Sequence, residues 1–274
     1  MDETAQQPLA RALLSLEGLS VGDAFGERFF MHPATLHLLI GERAIPAAPW
    51  RYTDDTQMAL SIVEILRRHG EIHQDALAKS FGRHYDLTRG YGPAMHRLLP
   101  QIRSRMSWRK AARGLFGGQG SFGNGSAMRV APLGAYFAGE TDAVVEHARR
   151  SAEVTHAHPE GKAGAIAVAL AAARACTMRA AQISQSPEDF LDAVLERVPE
   201  SEVQRGILKA RGLPAGTTPV SAASMLGNGD LVSAQDTFPF ALWCAAHHLV
   251  DHSPCLKAGD SWAEHGEPDR GTLP

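Results

Sequence analysis

Apolar residues recur at three- and four-residue intervals through most of this chain. After Asp55, the residues Met58, Ile62, Ile65, Leu66 and His69 share one face of a helix, and Gly70 stops the run. Similar spacing predicts helices at 74–85, 93–102, 126–137, 142–155, 161–181, 187–198 and 238–250. The stretch 161–181 is mostly Ala, Val, Ile and Gly, small residues that let a helix sit centrally with neighbours close on all sides. No run alternates convincingly with period two, so the pattern predicts an all-α domain. The domain is expected over residues 10–250. Beyond Asp251 the pattern gives way to Pro254, Gly259, Gly266, Pro268, Gly271 and Pro274, which predicts a poorly ordered tail over 251–274.

At 274 residues and 44% hydrophobic content, the chain can bury a sizeable core as one large domain or two small ones. The 27 basic and 30 acidic residues leave a formal net charge of -3, without the basic footprint that nucleic-acid binding requires. Any anionic ligand must be met by local groups. Cys176, Cys244 and Cys255 form no metal-ligand spacing and no even set, which points to a reducing compartment. The start, Met1-Asp2-Glu3-Thr4, is acidic where a signal peptide would be basic, and the longest apolar run, 163–173, is too short to span a bilayer. The expectation is a cytoplasmic monomer without a membrane partner.

Chemistry concentrates in four places. In Thr53-Asp54-Asp55-Thr56, two adjacent acids stand where a Pro-rich loop becomes a helix; hard oxygens of this kind suit Mg²⁺ or Ca²⁺. The plainer reading makes Thr53 or Asp54 an N-cap, with Asp55 favoured by the helix dipole and Gln57 completing a capping box on Asp54. Six glycines between Gly114 and Gly125 precede the helical pattern, as in a phosphate cradle or a flexible connector. Gly118 to Gly123 fits GxGxxG literally, but a basic, helix-like stretch precedes it where a dinucleotide fold needs a strand. The Rossmann reading is rejected on that ground, and a nicotinamide-dependent oxidoreductase is kept as a third reading only for the literal match. His156 and His158 lack a third His or Cys for zinc, so a histidine here hydrogen-bonds a ligand or shapes the turn before Pro159. In Gly18 to Glu27, small residues would let a helix end pack closely beside a site, with Asp23 and Glu27 as carboxylates.

Taken together and in order, these pieces resemble the ADP-ribosylglycohydrolase family, the dinitrogenase-reductase-activating-glycohydrolase-like hydrolases. The resemblance runs through Gly22-Asp23-Ala24-Phe25-Gly26, Thr53-Asp54-Asp55-Thr56, Gly123-Asn124-Gly125-Ser126-Ala127-Met128-Arg129 with Pro132-Leu133-Gly134, and Thr155-His156-Ala157-His158-Pro159. A fifth piece joins Gly227-Asn228-Gly229 to Asp236-Thr237-Phe238-Pro239. It implies an all-α fold around a central cleft holding two magnesium ions, where the bond between ADP-ribose and its acceptor is cleaved. Thr53, Asp54 and Asp55 would be metal ligands, with Asp54, Asp55 and Glu27 as catalytic carboxylates. Gly123, Asn124, Gly125, Ser126, Met128 and Arg129 would line the ADP-ribose site, and His158 would reach its ribose or phosphate side. The substrate would be an ADP-ribosylated protein or a small ADP-ribose conjugate.

The family pattern is departed from twice. Phe30 stands where relatives commonly place a glutamate, leaving Glu27 three residues earlier. The C-terminal Gly-Asp-x-Asp-Thr motif that closes the metal site is replaced by fragments such as Gly259-Asp260-Ser261. The second magnesium position is therefore expected to lose most of its protein oxygens, and hydrolysis to be impaired. A catalytically silent ADP-ribose-binding or scaffold protein of the same fold is the competing reading.

Overall fold

The computed structural model describes residues 3–32, 35, 39, 42 and 44–249, so the tail expectation over 251–274 lies outside the described residues. Among the described residues the chain forms twelve α-helices and no strand, in agreement with the all-α expectation. They are α1 (Glu3–Gly26), α2 (Asp54–His69), α3 (Gln74–His84), α4 (Pro93–Arg103), α5 (Trp108–Arg113) and α6 (Ala131–Tyr136). There follow α7 (Thr141–Glu153), α8 (Pro159–Ala181), α9 (Pro187–Leu195), α10 (Glu202–Arg211), α11 (Pro219–Leu226) and α12 (Ala234–Leu249).

Helix α2 shows how local chemistry sets the frame. Thr53 is its N-cap and Gly70 its left-handed terminator, at φ +70°, with the Gly70 N–H donating to the carbonyl of Leu66. Between them Met58, Ile62, Ile65 and Leu66 are at most 3% exposed. Full burial of each such side chain stabilises the fold by about 1.5–3 kcal/mol.

The small-residue helix α8 packs against α6, α7, α9 and α12. Its glycines and alanines permit approaches that larger residues would block. A Cβ added at Gly134 of α6 would lie 2.0 Å from the carbonyl oxygen of Ala169, and one at Gly164 would lie 3.0 Å from Ala234 of α12. By length and hydropathy α8 could cross a bilayer, since it extends well beyond the apolar run 163–173. Here it is a core helix: Ala163, Ala165, Ala167 and Ala169 are all 0% exposed.

Helix α1 lies on α6 and α2 and contributes Leu16 to a small core with Ala59 and Val63. Arg11 closes the end of α6, donating from Nε to Ala135 O and from Nη2 to Tyr136 O, both at 2.9 Å. Both carbonyls lie in the last turn of α6, where a helix leaves carbonyls short of partners.

Several sequence expectations are corrected at their edges. The helix expected from 126 starts at Ala131, because Asn124–Ser126 makes a 3-10 turn first and Pro132 fits the opening of the real helix. Helix α9 stops at Leu195 rather than 198, and α12 starts at Ala234 rather than 238. The glycines of 18–27 do not provide close packing: nothing described lies within 4 Å of a Cβ placed at Gly18, Gly22 or Gly26.

Candidate active site

The acidic pair sits at the first two positions of α2, and its capping is done from elsewhere. Asp23, near the end of α1, accepts from Thr53 N at 2.8 Å and Thr53 Oγ1 at 2.6 Å, and from Thr56 N at 3.2 Å and Thr56 Oγ1 at 2.6 Å. One remote carboxylate thus receives both amides that a capping box would satisfy, those of the N-cap and of the third helical residue. Gln57 forms no capping box with Asp54; its Oε1 accepts from Tyr52 OH at 3.4 Å. As an acceptor, the Thr53 hydroxyl makes only a long bond, from Asp55 N at 3.4 Å.

Asp54 and Asp55 are consequently not needed as caps, and their environment is hostile to their charge. Burial, with the charges of Asp23 and Glu27 added, pushes Asp54 up to about 6 against the partial relief of a backbone hydrogen bond and Arg129. Burial and the charges of Asp54 and Asp23 push Asp55 up to about 7. Glu27 opens the 3-10 turn that follows α1 and is exposed, one helical turn beyond Asp23. Phe30, at the place of the family's glutamate, is 87% exposed.

The glycine loop and the His-x-His segment interlock. Ser126 Oγ donates to Gly161 O at 2.7 Å, and a Cβ at Gly120 would lie 2.8 Å from His158 N. At Gly125 a Cβ would lie 3.0 Å from Cε1 of His156, so this glycine is required by packing. His158 caps α8 by accepting from Glu160 N at 3.1 Å, and its ring meets Phe122 edge-on at 5.4 Å.

Arg129 joins this loop to the acidic helix, and not in the way expected. It is 0% exposed, so it does not line the ligand side of the loop but holds the loop from behind. Nη1 donates to Gly125 O at 3.0 Å and contacts Met58 Sδ at 3.5 Å, one turn beyond Asp54. Nη2 donates to Ser151 O at 3.1 Å and Thr155 Oγ1 at 2.9 Å, while the guanidinium stacks over Phe81. Burial draws its pKa down to about 9. Ser126, also 0% exposed, spends its hydroxyl on Gly161. Of the remaining expected residues, Gly123, Asn124, Gly125 and Met128 are half-buried.

Sequence reasoning missed two features. His156 is the histidine against the glycines, with Nδ1 2.7 Å from Thr155 Oγ1 and Nε2 3.4 Å from where a Cβ of Gly123 would stand. Burial and the Arg129 charge bring it down to about 3, so it is neutral. The second is that the fifth motif piece, from Gly227 to Asp236, pairs with the loop: Asn124 N donates to Val232 O at 3.2 Å and Ala234 N to Phe122 O at 2.9 Å. Val232 adopts φ +52° and Phe116, across the loop, φ +50°; such strain in non-glycine residues costs about 1–3 kcal/mol and clusters at functional sites. A shallow groove of about 300 Å³ between α10, α11 and α12 borders none of the expected site residues.

A sequence model of the ADP-ribosylglycohydrolase family matches residues 4–265. The chain belongs to the ADP-ribosylglycohydrolase family. It is 36% identical over 204 residues to ADP-ribosylhydrolase ARH3 of Xenopus tropicalis, a match covering 70% of this chain and 56% of that protein. It is 34% identical over 220 residues to the Bos taurus ARH3, covering 70% and 57%. With the Homo sapiens ARH3 it is 31% identical over 280 residues, covering 88% and 74%. The chain thus spans a little over half the length of the frog and bovine relatives. An ADP-ribosylglycohydrolase-related protein complex has a chain of the same fold, with TM-score 0.54 and 20% identity, covering 89% of this chain and 87% of that one.

Proposed function

We propose that this protein is a magnesium-dependent hydrolase that releases ADP-ribose from its conjugates, with ADP-ribosylated proteins or small ADP-ribose conjugates as substrates. The observation that carries the reading is the pair Asp54 and Asp55: two desolvated neighbouring carboxylates at a helix start whose capping is already done by Asp23. Adjacent buried acids are costly unless a cation lies against them. Family membership and the ARH3 relatives support the class of reaction.

The donor set fits magnesium. Asp54, Asp55 and the Thr53 hydroxyl are hard oxygens, and Mg²⁺ is commonly held by one or two carboxylates with water completing its shell. Among the described residues no group of three or more His, Cys, Asp or Glu side chains gathers to hold a metal, so water would complete the shell. When bound, magnesium supplies Lewis-acid polarisation and fixes ribose hydroxyls.

The remaining chemistry belongs to the chain. Departure of the acceptor builds oxocarbenium-like positive charge at the anomeric carbon, and the carboxylates of Asp54, Asp55 and Glu27 stabilise it. A carboxylate of this set is suited to take the proton from an attacking water. The glycine loop, with Gly123 and Gly125 packed against neutral His156, is the segment that would meet the phosphate oxygens through its main chain.

The test is incubation with ADP-ribosylated protein and small conjugates, with and without Mg²⁺, followed by assay of free ADP-ribose. Release that depends on Mg²⁺ is expected. ADP-ribose binding without release would establish the silent binder instead.

A further inference from the structure

We propose that Asp23 is the positioning residue of the acidic pair: its carboxylate, reaching across from α1, fixes the first turn of α2 so that Asp54 and Asp55 are held for a divalent cation. The proposal rests on the metal-dependent reading above and names the residue that makes it geometrically possible. All four donors on Thr53 and Thr56 converge on Asp23, and these residues bracket the acidic pair on either side. Both main-chain and side-chain atoms of the bracketing residues are held, so the turn between them has little freedom to rotate.

Capping alone does not call for this arrangement. A neutral N-cap with a Gln three residues on, as in a capping box, would satisfy the same two amides without adding a charge. A carboxylate instead adds a third negative charge beside two acids already short of solvent, which is repulsive in the free protein and favourable once a dication is present. The fold contains its own control. Glu160 also caps a helix from a distance, accepting from the first two amides of α10, Glu202 N at 2.8 Å and Val203 N at 3.0 Å, without bracketing an acidic pair.

Calorimetric titration of the full chain with Mg²⁺, paired with thermal unfolding, tests this on Asp23→Asn, Asp23→Glu and Glu160→Gln. Asp23→Asn turns an amide N–H toward donors, and Asp23→Glu keeps the charge but displaces it by one methylene. Both should lose at least tenfold in Mg²⁺ affinity, whereas Glu160→Gln should lower the melting temperature and leave Mg²⁺ affinity within twofold of the parent. Parental affinity in Asp23→Glu would reduce Asp23 to a source of charge and overturn positioning. Equal loss in Glu160→Gln would do the same by showing general loosening. Should the Asp23 variants fail to fold, Thr56→Val removes only the 2.6 Å bond; it should weaken Mg²⁺ binding, with recovery in Thr56→Ser, and no change in Thr56→Val overturns the proposal. A parent protein that binds no Mg²⁺ overturns the metal-dependent reading itself, an outcome distinct from failure of Asp23 alone.

Discussion

Nη2 of Arg129 donates to Oγ1 of Thr155 at 2.9 Å with both side chains 0% exposed, and the same hydroxyl lies 2.7 Å from Nδ1 of His156. This relay ties the glycine loop, the end of α7 and the start of α8 into one unit. Arg129→Met would leave the Gly125 and Ser151 carbonyls without donors. Hydrogen bonds to a charged group are worth about 1.5–3 kcal/mol each, so the expected loss is about 3 kcal/mol or more. Chemical denaturation measures it. An unchanged midpoint would return Arg129 to the ligand-contact role its sequence suggested.

His156 gives the protein an acid limb. Its folded pKa of about 3 lies below the ordinary 6.5, so the unfolded chain binds the proton and the fold does not. Stability from this group is complete above pH 6.5 and is lost as pH falls toward 3. Between pH 7 and pH 5 the linkage amounts to about 2 kcal/mol. Denaturation of the parent and of His156→Asn at both pH values should show the parent losing about that much more than the variant. Parallel losses would mean that His156 is charged in the fold.

The acidic pair works with the opposite sign. The folded values of about 6 for Asp54 and about 7 for Asp55 lie above 3.8, so their contribution is intact below pH 3.8 and is lost as pH rises through 6 and 7. At pH 8 without metal, Asp54→Asn should therefore be more stable than the parent, on the order of 2 kcal/mol. Added Mg²⁺ should raise the melting temperature of the parent and not of the variant. A variant less stable than the metal-free parent would show that the carboxylate is compensated inside the fold.

What the sequence disclosed follows from the range of the forces involved. Helix α2 is bounded by local signals, Thr53 and Gly70, and one apolar face; its limits were legible. Pro93, Pro159 and Pro187 marked helix starts for the same local reason, but Pro132 and Pro219 do so as well and were passed over. Helix α1 was missed because Leu13, Leu14, Leu16 and Leu19 spread around it instead of forming a stripe. Asp23 could be read as part of a motif but not as a cap, since its partners lie 30 and 33 residues away. Arg129 was misplaced because a buried arginine carries no local signature; its partners at Ser151 and Thr155 come from another helix end.

Gly134 belongs to a motif stretch beside the glycine loop, yet its role is packing. A Cβ there would lie 2.0 Å from Ala169 O and 2.8 Å from Ala169 C, both backbone atoms of the central helix. Neither can yield without moving α8. Overpacking of this kind costs about 1–3 kcal/mol, and Gly134→Ala should reach the upper end of that range. Denaturation of the variant checks it, and loss of less than half that value would indicate that α6 slides along α8.

Magnesium stoichiometry separates the described site from a two-ion centre. On the proposed reading Asp54 and Asp55, with the Thr53 hydroxyl, would supply oxygens for one ion; among the described residues no group of three or more His, Cys, Asp or Glu gathers to hold a metal. Mg²⁺ tolerates little departure from octahedral geometry and keeps several waters where protein oxygens are few, so a single weak site is expected. Titration of the full chain with Mg²⁺ should give one ion per chain, and Asp55→Asn should abolish it. ADP-ribose should still bind that variant, because the glycine loop and His156 are built by separate contacts to α8 and to Arg129. Two tight ions per chain would show that oxygens outside the described residues complete the centre, and that the impaired hydrolysis expected from the altered C-terminal motif does not apply.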